Sequence, residues 1–356
     1  MSPDGTPAVT SSAAAQRIIR AIERGGPVPV GLFMAWANAH YYATRDPLGA
    51  DGDFTTSPEI SQMFGELIGL WAADLMSRAG GACPAWVELG PGRGTLTADA
   101  LRAIRRFGFA PPVHFVETSP VLRDLQAAAV PGAIFHEDIS RLPDGPVIII
   151  ANEFFDALPV RQLLMTAAGW RERLVALVEG RFVPVTGDVP MDAAVPPHLR
   201  AAPAGTILET SPASIAIMRD CATRIAANGG AMLVIDYGHD RSGHGDTLQA
   251  VERHGFADVF DGVGDRDLTA HVDFAALAEA ADSVGTRVHG PIGQGAFLKA
   301  LGIDARADSL AARQPDRGAD IMAARDRLTA ADAMGTLFRV LGVTASNWPQ
   351  PEGFAK

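Results

Sequence analysis

Cysteine is scarce: the 356 residues hold 2, Cys83 and Cys221, far apart and in no metal-ligand or redox spacing. That gives no support to a disulfide scaffold and fits two free thiols in a reducing compartment. Positive charge is short as well. Lys and Arg number 30 against 41 Asp and Glu, a formal net charge of -11, which argues against a nucleic-acid or anionic-membrane binder. No apolar run approaches the roughly 18–20 residues of a membrane span. The N-terminus lacks an apolar h-region, and Asp4 stands where a signal peptide would be basic. Neither a Walker loop nor a Gly-x-Ser-x-Gly elbow occurs, so NTPase and hydrolase chemistry find no foothold.

What is present is a change of hydrophobic period. Residues 1–14, rich in Ser, Ala, Pro and Thr, read as a disordered tail. Helical spacing follows over Ala14–Arg24, Val30–Tyr42 and, after a dense polar stretch, from Thr56 through Leu75. In the last of these, Gly65 and Gly69 lie one turn apart and predict a closely packed backbone. Thr-Ser-Pro occurs at 56–58, 118–120 and 210–212, each time before a helical pattern, and helix capping accounts for all three. From Ala85 short β-type runs take over: 87–89, 113–116, 133–135, 147–150 and 231–236. Helical patterns at 95–107, 120–129 and 212–227 alternate with them, which implies βαβ units. The fold class is α/β, a Rossmann-like, doubly wound and mainly parallel sheet. A hairpin about Ala167-Ala168-Gly169 interrupts it, residues 186–204 are a Pro- and Ala-rich connection, and 238–269 are loop-rich. Helices at 274–283, 295–301 and 319–331 and a returning strand at 337–341 close the chain. The expected division is a helical segment over 1–80, a core over 81–243 with an insertion at about 160–204, a substrate or partner region over 244–333, and a strand with tail over 334–356.

The glycine turn Glu88-Leu89-Gly90-Pro91-Gly92-Arg93-Gly94-Thr95 leaves the first β-run. Glycine lets backbone approach a ligand, and strand ends are where open α/β sheets bind one. Thr95 stands where a dinucleotide fingerprint wants a small residue, and Glu88 would repel a pyrophosphate. A cationic, phosphate-free ligand, S-adenosylmethionine, suits the turn better. Glu117 ends the second run, about 20 residues on, where a carboxylate can take ribose hydroxyls. Asp138, before Ile139, follows the third run and can meet an adenine amino group; Asn152-Glu153 ends the fourth. Four strand ends in register, each bearing an acid or amide, specify a site far better than a glycine turn alone.

In Asn152-Glu153-Phe154-Phe155-Asp156-Ala157-Leu158-Pro159, Glu153 and Asp156 are candidate catalytic carboxylates, and Phe154 can wall a flat cation. Guanidinium is planar, offers paired donors and is a poor nucleophile while protonated. Acids that localise its charge and take a proton would free one nitrogen for attack on a methyl group. Core packing explains at least one of the two phenylalanines as well. Asp236-Tyr237 and His271 are further substrate candidates. His239 and His244 match no metal-ligand pattern, and no metal is expected.

Together these segments resemble the MidA-like family of methyltransferases, which includes mitochondrial complex I assembly factors. The resemblance is carried by DFTTSPEISQMFGELIG (53–69), ELGPGRGTL (88–96), ETSP (117–120), NEFFDALP (152–159), DYG (236–238), DLTAHVDF (267–274) and GQGAFLKALG (293–302). It implies a class I, S-adenosylmethionine-dependent enzyme of the type II protein-arginine class, making symmetric dimethylarginine on the 49-kDa-type subunit of respiratory complex I. Carried over by position, Glu88, Gly90, Gly92 and Gly94, with Thr95, hold the donor's methionine part. Glu117 and Thr118 take the ribose, Asp138 and Ile139 the adenine, and Asn152 lines the site; Ser57-Pro58 closes over it. The absence of an Arg-rich presequence points to a bacterial cytoplasmic member, or to the mitochondrial matrix if the source is eukaryotic, and a homo-oligomer is left open. Two other functions compete: a small-molecule methyltransferase on the same core, and an assembly protein that binds the donor without essential catalysis.

Overall fold

A computed structural model describes residues 12–44, 55–81, 83–252 and 255–354. Residues 1–11 of the tail expected over 1–14, and Asp53-Phe54 at the head of the first matching segment, lie outside the described residues. The end of the expected tail is instead helical, with Ser12 as cap and Ala13-Ala14 in the first turn. The chain forms two compact units. A sheet unit takes residues 46–155, 215–241 and 272–356; an insertion unit takes 1–45, 156–214 and 242–271. These units interleave along the chain, whereas the sequence reading divided it into consecutive pieces. In particular, the helical segment expected over 1–80 is shared between them.

The sheet unit opens with two helices, α1 (Ser57–Ile60) and α2 (Gln62–Arg78). The single helix expected here is broken at Ser61, whose backbone is extended (φ -163, ψ 139) while its Oγ accepts a bond from Met63 N–H at 3.2 Å. Serine does this readily, since its hydroxyl competes for the backbone donors of a helix start. There follow β1 (Ala85–Leu89), α3 (Thr95–Ile104), β2 (Val113–Val116), α4 (Pro120–Ala129), β3 (Ile134–His136) and β4 (Val147–Asn152). After α5 (Pro212–Asn228) come β5 (Gly230–His239), β6 (Val272–Asp273), α6 (Phe274–Asp282), β7 (Arg287–Gly293), α7 (Gln294–Ala300), α8 (Ile303–Arg313), α9 (Gly318–Thr329), α10 (Met334–Leu337) and β8 (Phe338–Thr344).

The sheet order is β7-β8-β5-β4-β1-β2-β3, with β6 alongside β5. The run β5-β4-β1-β2-β3 is parallel, and β8 pairs antiparallel with both β5 and β7. Parallel strands are covered on both faces, so β1 and β4 are buried at every residue. The chain reverses direction of travel across the sheet between β1 and β4. A doubly wound sheet has its ligand crevice there, beyond the carboxyl ends of both strands. The doubly wound, mainly parallel fold read from the sequence is the one found; α8 and β7 went unanticipated.

Helices α2 and α3 fix the turn from one side. A Cβ added at Gly65 would lie 2.6 Å from Asp99 Cβ and 2.9 Å from Leu96 O, and one at Gly69 2.4 Å from Ala100 O. The close approach expected from this glycine pair is therefore present. Arg306 of α8 braces the same helix through a bidentate pair with the buried Glu66, at 2.7 and 3.0 Å.

The insertion unit contains helices Ala13–Gly25 and Val30–Thr44, both as expected. The expected hairpin is present: strand 161–166 pairs antiparallel with 169–178 about Ala167-Ala168. Strands 28–29, 181–190 and 207–210 complete that sheet. The second half of strand 181–190, residues 186–190, occupies the start of the expected connection 186–204, and the loop-rich stretch 238–269 contains a three-stranded sheet of 255–257, 249–252 and 267–269. Ile18, Phe33, Met34, Val175, Phe182 and Leu268 are among the residues of its core.

Candidate active site

In the sheet unit the turn after β1 holds its shape through left-handed glycines, Gly90 at φ +61, Gly92 at +54 and Gly94 at +80. A side chain is disfavoured in that region, and glycine is not. A Cβ at Gly90 would stand 3.0 Å from Phe154 Cδ2, and one at Gly94 3.4 Å from Ala129 Cβ. A side chain at either glycine would therefore press on a neighbour, on Phe154 at Gly90 and on α4 at Gly94.

Glu88, one residue from the end of β1, is 3% exposed. Thr97 Oγ1 donates to its Oε2, and Trp86 Nε1 donates to Thr97 Oγ1 at 2.6 Å. Burial outweighs that bond and pushes the Glu88 carboxyl up to about 8. A carboxyl raised in this way favours its neutral form in the fold. Its contribution to stability is full below the ordinary pKa near 4.5 and is lost as pH rises through about 8. Urea denaturation of the ligand-free protein should accordingly show stability falling across that window by up to a few kcal/mol, with Glu88→Gln flattening the slope. An unchanged slope in the variant would refute this assignment.

Glu117 follows β2. Its Oε1 accepts from the N–H groups of Thr118 and Ser119, both at 2.7 Å, and its Oε2 accepts from Gln126 Nε2 at 3.1 Å. Arg123 Nε grips the Glu117 carbonyl at 2.9 Å. Asp138 is exposed and accepts from Ser140 N–H at 2.8 Å; the bonds from Ser140 hold its carboxyl below the ordinary value. Ile139 lines a cavity of about 370 Å³ with Ser140, Leu142, Cys221 and Arg224. Burial pushes the Cys221 thiol up to about 12.

At the end of β4, Asn152 Oδ1 is buried with no hydrogen-bond partner among the described residues, while its Nδ2 donates to Glu153 Oε1 at 3.1 Å. Glu153 adopts φ +49, a rare backbone for a residue with a Cβ, and its N–H donates to Ile235 O at 2.8 Å. Asp236, fully buried, explains how that strain is held. Its Oδ2 accepts from the N–H groups of Phe154 (3.2 Å) and Phe155 (3.0 Å), and its Oδ1 from Tyr237 N–H at 2.9 Å. Asp236 thus organises the loop after β4. Phe155 is in the core at 2% exposure, Phe154 is half-buried, and the Tyr237 ring packs edge-on to Phe338.

Helix α1 is tied to both sides of the crevice. Ser57 N–H donates to Glu153 Oε1 at 3.1 Å and Ser57 Oγ to Gln294 Oε1 at 3.3 Å; Thr95 Oγ1 donates to Glu59 Oε1 at 2.5 Å. Pro58 stands in the first turn of α1, and Thr56 makes no side-chain cap. Capping therefore explains only two of the three Thr-Ser-Pro segments, since Ser119 and Ser211 do accept from the N–H three residues on.

Strand pairing and these bonds gather Ser57, Glu88, Thr95, Glu117, Asn152, Glu153 and Phe154 about the carboxyl ends of β1, β2 and β4 in the sheet unit, with Asp236 bonded to the loop after β4. Asp156 and His271 belong to the insertion unit. There Asp156 is buried and accepts from Ala270 N–H through its carbonyl at 3.0 Å. Tyr42 donates to Asp267 Oδ2 at 2.8 Å; burial, then Asp267 and Asp156, push its hydroxyl well above the ordinary value. His271 N–H donates to Thr247 Oγ1 at 2.9 Å. Sequence reasoning overlooked Thr97, Arg123, Gln126 and Gln294. Only the spacing of Arg123 and Gln126, one helical turn apart behind Glu117, offered a signal.

A left-handed glycine cradle, an anchored carboxylate after β2 and a buried amide oxygen after β4 fit S-adenosylmethionine, which carries an ammonium and ribose hydroxyls. Comparison with known proteins agrees. A family profile described as "putative S-adenosyl-L-methionine-dependent methyltransferase" matches residues 67–292. The chain is 34% identical to the mitochondrial protein arginine methyltransferase NDUFAF7 of Xenopus tropicalis, over 98% of this chain and 90% of that protein. It is 35% identical to the human protein of the same name, over 80% and 72%. A crystal structure from Burkholderia thailandensis superposes with a TM-score of 0.83 at 25% identity, covering 96% of this chain and 93% of that one. It is described as a COG1565 superfamily member and likely methyl transferase bound to S-adenosyl-homocysteine. The chain belongs to this family of S-adenosylmethionine-dependent methyltransferases.

Proposed function

We propose that the chain methylates an arginine side chain of a protein, as the names of its relatives say of them. The observation that carries the proposal is Glu153, a carboxylate aimed by a strained backbone and by bonds from Ser57 N–H and Asn152 Nδ2. When bound, S-adenosylmethionine supplies an electrophilic methyl group. Glu117 and Asp138 hold its adenosine, and Glu88 with the glycine turn holds its methionine part. Glu153 pairs with the guanidinium, draws the charge to one nitrogen and takes the proton which the methylated nitrogen loses. Asp156, buried beside Tyr42 and Asp267, is a second candidate acid, argued from its own surroundings.

The finer reading is symmetric dimethylation of the 49-kDa-type subunit of respiratory complex I, in a bacterial cytoplasm, or in the mitochondrial matrix if the source is eukaryotic. Incubating the protein with that subunit and methyl-labelled donor should label one arginine. Glu153→Gln should retain S-adenosylhomocysteine within about threefold and lose at least about a hundredfold in transfer rate. Unchanged transfer in the variant removes Glu153 from the chemistry; no label from a protein that binds the donor removes this substrate.

A further inference from the structure

Gln126 lies on α4 with no exposed surface, nine residues after Glu117. Its Nε2 makes two bonds at once, to Gly92 O at 2.7 Å and to Glu117 Oε2 at 3.1 Å. Both partners are acceptors, so the amide has one workable orientation: turning it over would set its oxygen against two oxygens. The correct orientation leaves Oε1 buried with no partner among the described residues. Packing alone gives no reason for that cost, because an apolar side chain of similar length would avoid it. What the amide adds is a fixed distance between two parts of the crevice, the glycine turn and the carboxylate after β2. Glu117 Oε1 is already taken by the two backbone N–H groups, so the Gln126 bond sets the plane and reach of Oε2. Helix α4 packs directly against the turn, since a Cβ at Gly94 would lie in van der Waals contact with Gln126 Cα, at 3.5 Å.

We propose that Gln126 is a positioning residue for the donor's ribose, acting through Glu117 Oε2 and registering that carboxylate against the glycine turn. The proposal rests on the reading of Glu117 as the ribose carboxylate. It predicts an effect that depends on the ribose hydroxyls, whereas a merely structural residue would weaken every ligand alike.

The experiment measures binding of S-adenosylhomocysteine and of its analogue lacking both ribose hydroxyls, by titration calorimetry. Wild-type protein should bind the analogue at least about thirtyfold more weakly. Gln126→Met should weaken S-adenosylhomocysteine by about tenfold and leave the analogue within about twofold of wild type. Equal weakening of both ligands, or of neither, overturns the role of Gln126 and leaves that of Glu117 standing. A wild-type protein indifferent to the hydroxyls overturns the reading of Glu117 and this proposal with it. Gln126→Glu keeps the size of the side chain, and a thermal melt at each pH shows whether the fold survives the change. The variant sets a second carboxylate against Glu117, so affinity lost at about pH 7.5 should return in part at about pH 5.5. Wild-type affinity at the higher pH, or no recovery at the lower, counts against the proposal.

Discussion

Gly90→Ile is expected to cost at least about a hundredfold in affinity for S-adenosylhomocysteine, roughly 3 kcal/mol, measured by calorimetry. Two effects add. At φ +61 a β-branched residue is strained by about 1–3 kcal/mol. The new Cβ also meets Phe154 Cδ2 at 3.0 Å, and its branches reach further. The ring has to give by a few tenths of an ångström beside Glu153, so the strain reaches the loop after β4 as well as the turn. Gly80→Ile separates the two effects. Gly80 has φ +84 and no atom of the described residues within 4 Å of an added Cβ, so that variant isolates the backbone strain. It should lose stability and keep its affinity. If Gly90→Ile binds as well as Gly80→Ile, the turn is not the cofactor cradle.

The second large effect falls on folding. In Gly69→Leu the first side-chain carbon would lie 2.4 Å from Ala100 O, 2.7 Å from its Cα and 2.9 Å from its carbonyl carbon. All three are backbone atoms of α3, so no rotamer change relieves the contact, and the helices must separate. Overpacking costs typically 1–3 kcal/mol and more where backbone has to move. The gain in helix propensity from replacing glycine is at most about 1 kcal/mol and does not compensate. We expect at least about 3 kcal/mol of lost stability, a large share of what a domain has. A melting temperature lower by about 5–10 °C, or a failure to fold, would register it. Gly25→Ala, in a helix with nothing within 4 Å, should change stability in the opposite direction by some tenths of a kcal/mol. Equal effects at the two positions would show that helix propensity rather than packing decides.

Much of this was legible because its physical signals are local. A buried parallel strand is a run of apolar residues such as Val147–Ile150, and a strand end is marked by the acid or amide that follows. Glu88, Glu117, Asp138 and Asn152 could therefore be read off one after another. Gly65 and Gly69 announced a close helix contact by their spacing. The rest depended on contacts between distant residues. Strand 181–190 alternates too little to stand out from a Pro- and Ala-rich stretch, and the short strands around 249–269 sit among glycines and aspartates. The break at Ser61 depends on a serine that caps instead of continuing, at a position where apolar spacing alone predicts one helix. Gln126 looks like any helical glutamine until its two acceptors are known, and Asp236 looked like a substrate ligand until its three backbone donors were seen. Nothing local indicated that Asp156 and Glu153, three residues apart, belong to different units.

The interleaving of the two units bears on how the chain can be made. Helices Ala13–Gly25 and Val30–Thr44 belong with strands that end near His271. More than two hundred residues must leave the ribosome before those helices can meet the last of their partners. At roughly 5–20 residues per second this is a wait of about ten seconds to most of a minute. Throughout it the apolar faces around Ile18 and Phe33 have only part of their native cover within reach. The sheet unit waits longer still, because β8, which lies between β5 and β7, comes last of all its strands. Vectorial synthesis thus exposes both halves of this enzyme together. A truncation near residue 240 therefore leaves neither unit whole.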